Sequence, residues 1–210
     1  MFKTISKGVV LFAAVAALAA CDNGNSQPQQ GKQYEVLPAS LTEYDLAPLT
    51  EVFSLNCGHC RTMETFVPQI ESLTEQKVQK MHVTFNESAQ ISAIIFYTAV
   101  MQLDGTPDKA FMEELFAAVQ MGSEATTDER QAAVEKVFES RNLISPYQLD
   151  EAQQAELFKF IAKAEEITTR GQINSVPAFI VNGKYQVITG GHETVEAMAD
   201  TINYLLKQPK

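Results

Sequence analysis

Two cysteines three positions apart, in the run Cys57-Gly58-His59-Cys60, are the residues of this chain best suited to do chemistry. The thiolate, not the thiol, is the sulfur nucleophile, and a free cysteine with a pKa of about 8.5 is mostly protonated near neutrality. Position can change that. Leu49 to Leu55, just before the pair, is mostly apolar and reads as a strand. After it, Met63, Phe66, Val67, Ile70 and Leu73 follow the spacing of one helical face. The pair therefore sits where a strand ends and a helix begins. The first turn of a helix carries free N–H groups and a partial positive charge, both of which favour an anion. Such surroundings lower a cysteine pKa to roughly 3.5–7.5. Cys57 falls in the cap region. Cys60 lies one turn inside on the same side, near enough to form a disulfide, and His59 can add positive charge and a donor beside Cys57.

Two other chemistries use paired cysteines. A zinc site needs two further ligands at zinc spacing. The only other cysteine is Cys21, and His82 and His192 stand apart from each other and from the pair, so no metal is expected. An inert structural disulfide is the second alternative. A four-residue ring constrains the unfolded chain very little, because the benefit grows with loop length. Redox exchange at Cys57 and Cys60, with no separate cofactor, is the reading these arguments favour.

The elements that position the pair follow from the rest of the chain. At 210 residues with 45% apolar composition, it has enough material for a real core. The formal net charge of −10 argues against nucleic acid and against charge-driven binding to anionic lipid headgroups. Residues 1–20 form a secretory signal: Lys3 and Lys7 supply the positive start, and Val9 to Leu18 is an apolar run too short to span a bilayer comfortably. Asp22 to Lys32 has no apolar pattern, and residues 21–32 read as a flexible tether. Lys80 to Phe85 reads as another strand.

Four helical segments come next. Ile91, Ile94, Ile95, Ala99 and Leu103 mark the first, stopped by Gly105 and Pro107. Phe111, Met112, Leu115, Phe116 and Val119 mark the second, with Gly122 as its stop. Thr126 and Glu129 form a capping box for the third. Ser145-Pro146 starts the fourth, which continues to Gly171 with a break near Asp150. These stripes read as core, and they would also line one wall of a groove beside the cysteines. Ser175 to Val181 is then a short strand, Asn182-Gly183 a two-residue hairpin, and Lys184 to Thr189 its return. A last helix runs from His192 to Lys207.

A CxxC at the end of a strand in this order reads as thioredoxin-like. Three stretches together resemble the DsbA family of periplasmic thiol–disulfide oxidoreductases: Phe53-Ser54-x-x-Cys57-x-His59-Cys60, Lys80-x-His82-Val83-x-Phe85 and Val176-Pro177-Ala178-x-x-Val181-Asn182-Gly183-Lys184-Tyr185. The resemblance implies an α/β protein: a thioredoxin fold over 33–87 and 156–210 with an inserted all-helical domain over 88–155. It implies that Cys57 is the exposed nucleophile, Cys60 its buried partner and His59 a stabiliser of the thiolate. Pro177 matches a cis-proline packed against the disulfide, with Gly58 and Val176 at the substrate-binding surface and Val176 presenting its backbone. Glu51 and Lys80 match a buried acid–base pair beneath the site. The implied partners are reduced exported proteins as substrates and a membrane quinone-linked oxidase of the DsbB kind, acting on a monomer. Leu18-Ala19-Ala20-Cys21 separately resembles the lipobox of bacterial lipoproteins. That implies a periplasmic protein anchored by lipid at Cys21, on the inner membrane by analogy with lipoproteins carrying an Asp such as Asp22 next; the other reading is an ordinary cleaved signal. Gly58 departs from the proline usual in the DsbA motif, and Cys-Gly-His-Cys is similar to the motif of protein disulfide isomerase. Isomerase or reductase action, and a non-redox peptide-binding chaperone module, therefore stay open beside the dithiol oxidase.

Overall fold

The computed structural model describes residues 27–209. The expected signal segment, Cys21 and the tether as far as residue 26 lie outside the described residues. A five-stranded sheet has the order β1-β5-β4-β2-β3. The strands are β1 (Tyr34–Val36), β2 (Leu49–Phe53), β3 (Gln79–His82), β4 (Ala178–Val181) and β5 (Tyr185–Val187). The β2/β3 pair is parallel and the other pairs are antiparallel. Every residue of β2 is buried, because this inner strand is covered on both faces.

Side chains alternate across the sheet and feed two cores. Phe179 and Val181 of β4 join the core under helices α2 (Val67–Thr74) and α7 (Val195–Leu206). Ile180, between them in sequence, joins the larger core under a helical block. That block is α3 (Glu87–Leu103), α4 (Lys109–Val119), α5 (Thr127–Glu139) and α6 (Glu151–Arg170), inserted between β3 and β4. The chain is thus a thioredoxin fold with a helical insertion. The β4–β5 hairpin turns at Asn182 and Gly183, both with positive φ (53° and 63°), the pattern of the hairpin turn that Asn-Gly favours.

Several boundaries differ from the sequence reading. The single helix expected after the cysteines is two: α1 (Gly58–Met63) and α2, with the chain turning between them. Pro68 has no N–H to return to the carbonyl one turn back, so a continuous helix would lose that bond. Phe66 and Leu73 consequently end 39% and 41% exposed instead of in the core. Helix α3 stops at Asp104, in the left-handed region (φ 51°), before Gly105 is reached. Ser145-Pro146 opens only one 3-10 turn, Pro146–Gln148. The long helix begins afresh with a capping box from Asp150 and Gln153. Helix α7 begins at Val195, because the Thr194 hydroxyl caps it by accepting from the Ala197 N–H.

Candidate active site

Cys57 is the residue at which β2 hands over to α1. Its backbone is extended, and its Sγ accepts the Cys60 N–H at 3.1 Å, so the sulfur itself is the helix cap. Both cysteines are free, and they differ sharply in burial: Cys57 is half-buried and Cys60 fully buried. The Cys57 pKa falls to about 6. The Cys60 thiol donating to its sulfur is the largest cause; partial burial opposes, and the backbone N–H groups of Cys60 and His59 and the charge of His59 add to the lowering. The same hydrogen bond pushes the Cys60 thiol far up, and burial and the negative charges of Cys57 and Glu51 push it further. At neutral pH the pair is one thiolate and one thiol.

Val176 and Pro177 lie on the loop into β4, facing the cysteines. The Val176 carbonyl is 3.8 Å from Cys57 Sγ, and the peptide bond between Val176 and Pro177 is cis. The Thr189 hydroxyl donates to the Pro177 carbonyl at 3.4 Å. Gly58 and His59 are exposed on the first turn of α1, and a side-chain carbon built on Gly58 would meet nothing within 4 Å.

Glu51 and Lys80 are direct neighbours across the β2/β3 ladder, and both side chains are buried. Lys80 Nζ donates to Glu51 Oε2 and also to Glu64 Oε1, on the turn after α1. The other Glu51 oxygen, Oε1, is buried without a partner. Burial lifts the Glu51 carboxyl to about 7 against the pull of Lys80. Burial alone would lower Lys80, but the two carboxylates outweigh it and raise it.

A thioredoxin family model matches residues 47–203, a stretch that includes both cysteines, Glu51, Lys80 and Pro177. The chain belongs to the thioredoxin family. Among curated thioredoxin-family relatives, the thiol:disulfide interchange protein DsbA of Salmonella typhimurium is 29% identical over 193 residues, covering 86% of this chain and 89% of the relative. DsbA of Escherichia coli K12 gives the same identity and coverage. Among solved structures, Proteus mirabilis DsbA superposes with a TM-score of 0.65 at 20% identity, over 87% of this chain and 98% of that one. A variant of that protein with a non-covalently bound peptide, PWATCDS, superposes with a TM-score of 0.64. Within the thioredoxin family this is therefore a DsbA-type thiol:disulfide oxidoreductase.

This thioredoxin-family site also uses residues that carry no signal in the sequence. Glu64 completes the buried cluster, although nothing in the sequence beside it marks it as buried. His82 appears in the sequence only as a motif letter, yet it is fully buried, with a pKa lowered to about 3 by that burial, so it is neutral. Two clefts border elements of the site, one through Met63 and Thr189 and the other through Asn56. One of about 360 Å³ is lined by Met63, Phe66, Thr189, Val195 and Met198. The other, about 400 Å³, lies in the helical block and is lined by Asn56, Ser88, Ile91, Ile95, Val119 and Tyr147. Among the described residues, no group of three or more His, Cys, Asp or Glu is placed to hold a metal ion, and no helix is long and apolar enough to cross a membrane.

Proposed function

We propose that this oxidoreductase works as a dithiol oxidase of exported proteins. The observation that carries the reading is the inequality of the two sulfurs: the Cys57 thiolate, held near pKa 6 by the Cys60 thiol and by the first N–H groups of α1, against the buried Cys60 thiol. Stabilising the thiolate stabilises the reduced pair, and a pair whose reduced form is stabilised is an oxidant when it carries the disulfide. A substrate thiolate attacks Cys57 Sγ, the Cys57–Cys60 bond breaks, and Cys60 leaves as a thiolate that takes up a proton. A second substrate thiolate then attacks the substrate sulfur of the mixed disulfide and expels Cys57, which stays ionised. Two electrons pass from the substrate dithiol to the pair. A membrane quinone-linked oxidase of the DsbB kind then restores the disulfide.

The roles of the neighbours follow. Val176 offers its carbonyl beside Cys57 to an extended substrate backbone, with Pro177 and Gly58 shaping the contact. The cysteine-containing peptide on Proteus mirabilis DsbA supports a polypeptide as ligand, and the two clefts are where its apolar side chains would rest. His59 supports the thiolate. Glu51, with its free oxygen and a pKa of about 7, gives a proton to the leaving Cys60 and takes it back, while Lys80 keeps the carboxyl within reach of both states. The signal and the Cys21 lipobox support a periplasmic protein anchored on the inner membrane.

The test is a single turnover. The oxidised protein is mixed with a reduced, unfolded polypeptide holding two cysteines, and disulfide gain is followed in the substrate. The expected result is stoichiometric oxidation, blocked by Cys57→Ser. A protein that leaves the dithiol untouched, or that instead reduces a substrate disulfide under the same glutathione ratio, overturns the oxidase. Binding that survives Cys57→Ser with no exchange in the native protein identifies a chaperone module. Fatty-acid analogue labelling of cells tests the anchor: a mature protein that is unlabelled and begins elsewhere than Cys21 removes it.

A further inference from the structure

Leu55, two residues before Cys57, is fully buried, and it occupies a tight turn closed by the Cys57 N–H donating to the Ser54 carbonyl at 3.0 Å. The N–H and C=O of Leu55 point away from that turn, where a surface turn would give them to water; buried, they need protein partners. The N–H donates to His82 Nε2 at 2.8 Å. The carbonyl accepts from the Gln120 side-chain amide, also at 2.8 Å. His82 is itself fixed. Its Nδ1–H donates to the Val83 carbonyl at 2.7 Å, which leaves Nε2 as an acceptor. The Tyr97 hydroxyl, from α3, accepts from the His82 N–H at 3.0 Å and donates to the His82 carbonyl at 3.1 Å. Gln120 sits at the end of α4. The turn that carries the nucleophile is therefore gripped on one side from β3 and on the other from the helical block.

We propose that His82 and Gln120 are positioning residues that set the Cys57 thiolate by fixing the peptide groups on either side of Leu55. Held this way, Cys57 Sγ meets the Cys60 N–H at 3.1 Å, the contact that makes it a cap. Releasing either grip lets the turn rotate and lengthens that contact, so the thiolate loses stabilisation and the disulfide gains relative to the dithiol. The inserted helices then act on the redox equilibrium itself, and not only on which substrates fit. The inference rests on Cys57 being the nucleophile, but not on oxidase action.

The experiment measures two quantities on the protein alone: the Cys57 thiolate pKa, from thiolate absorbance, and the equilibrium in which the protein disulfide plus two glutathione thiols gives the protein dithiol and glutathione disulfide. Gln120→Met keeps the length of the side chain and removes the donor. It is expected to raise the thiolate pKa by about half to one unit and shift the equilibrium toward the protein disulfide by about three- to tenfold. His82→Phe, which keeps a ring against Phe53 but has no acceptor, should move both the same way. His82→Gln, whose amide can accept from Leu55 and donate to Val83, should restore both. A Gln120→Met protein that melts at lower temperature but keeps the native thiolate pKa and equilibrium overturns the proposal and leaves a structural brace. If His82→Phe does not fold, Gln120→Met, at a partly exposed position, decides alone. Neither quantity involves a polypeptide substrate, so failure of the oxidase reading leaves this result distinct.

Discussion

The two ends of the active site handle charge in opposite ways. At the exposed end, one negative charge on Cys57 is held first by the Cys60 thiol and then by backbone N–H groups that the helix start provides, without further burial of ions. At the buried end, Glu51, Lys80 and Glu64 put three ionisable groups into the protein interior, with one carboxylate oxygen left unpartnered. Taking charges out of water is expensive, and the mutual attraction of a buried pair often fails to repay it. A cap therefore suits a group that must remain an anion. A buried cluster suits a group whose protonation state must be able to change. The buried end is therefore poorly explained by stability and better explained by proton handling.

Removing the one cation of the buried cluster should have the largest effect. Lys80→Met leaves Glu51 and Glu64 buried without their shared partner, and losing one partner of a buried ionic cluster costs about 3–5 kcal/mol. The deficit should be largest near pH 8, where Glu51 is ionised without its counter-charge or protonated at a cost, and should shrink toward pH 5 as Glu51 takes up a proton. Denaturant unfolding at the two pH values measures it. An equal deficit at both would mean that Lys80 matters for packing and not for charge.

Next in size is Glu51 itself. Its folded pKa of about 7 lies above the unfolded carboxylate value of about 4.3. A carboxyl with a raised folded pKa binds its proton better when folded. The native state is therefore favoured at low pH, and this contribution is lost as pH rises through about 7. Glu51→Gln should remove that dependence and leave the protein more stable by about 2 kcal/mol above neutrality, since the desolvated charge is gone. The same variant should slow exchange, because general acid–base assistance is worth about 10²-fold or more where it operates. Unchanged exchange rates across the pH range would sink the proton role while leaving the stability argument standing.

A smaller effect separates the two redox forms. The folded pKa of Cys57, about 6, lies below the unfolded value of about 8.5. A depressed pKa stabilises the fold fully above the unfolded pKa, partly at pH 7, and not at all once pH has fallen through about 6. Because the sulfur is only half-buried, solvent screening limits the gain at pH 7 to about 1 kcal/mol. Only the dithiol has it, and the short disulfide ring returns little. The reduced protein should therefore unfold at higher denaturant concentration than the oxidised one at pH 7, and the gap should close near pH 5. An oxidised form that is the more stable at pH 7 would favour reductase action.

Much of the frame for these tests was legible in the chain. The cysteine pair at a strand–helix junction, the Thr126–Glu129 capping box and the Asn182-Gly183 hairpin all depend on neighbours within a few residues, and the structure has each of them. What was not legible depends on partners distant in sequence. Gln120 finds the Leu55 carbonyl from 65 residues away, and Glu64 joins Lys80 only because β3 returns beside β2. Neither meeting leaves a periodic or compositional trace. The break between α1 and α2 did have a local sign in Pro68, but the apolar spacing across it imitates one continuous face.

The smallest expected effect concerns Gly58. It is the first residue of α1, a position that gives its N–H no partner within the helix and that favours proline's fixed φ. A side-chain carbon there would meet nothing within 4 Å. Gly58→Pro should therefore fit without strain and stabilise the fold by about 0.4–1 kcal/mol, chiefly by restricting the unfolded chain. That gain applies to both redox forms. A change in their difference would instead report on the cap, because a stiffer turn holds Cys57 Sγ more firmly under the Cys60 N–H. If the turn is already fixed through Leu55, the added stiffness has little left to do. Both forms should then gain alike, with the glutathione equilibrium moving less than about twofold. A large shift toward the dithiol would show that glycine leaves the native cap loose, and would place the tuning of the thiolate in residue 58 rather than in the grip on Leu55.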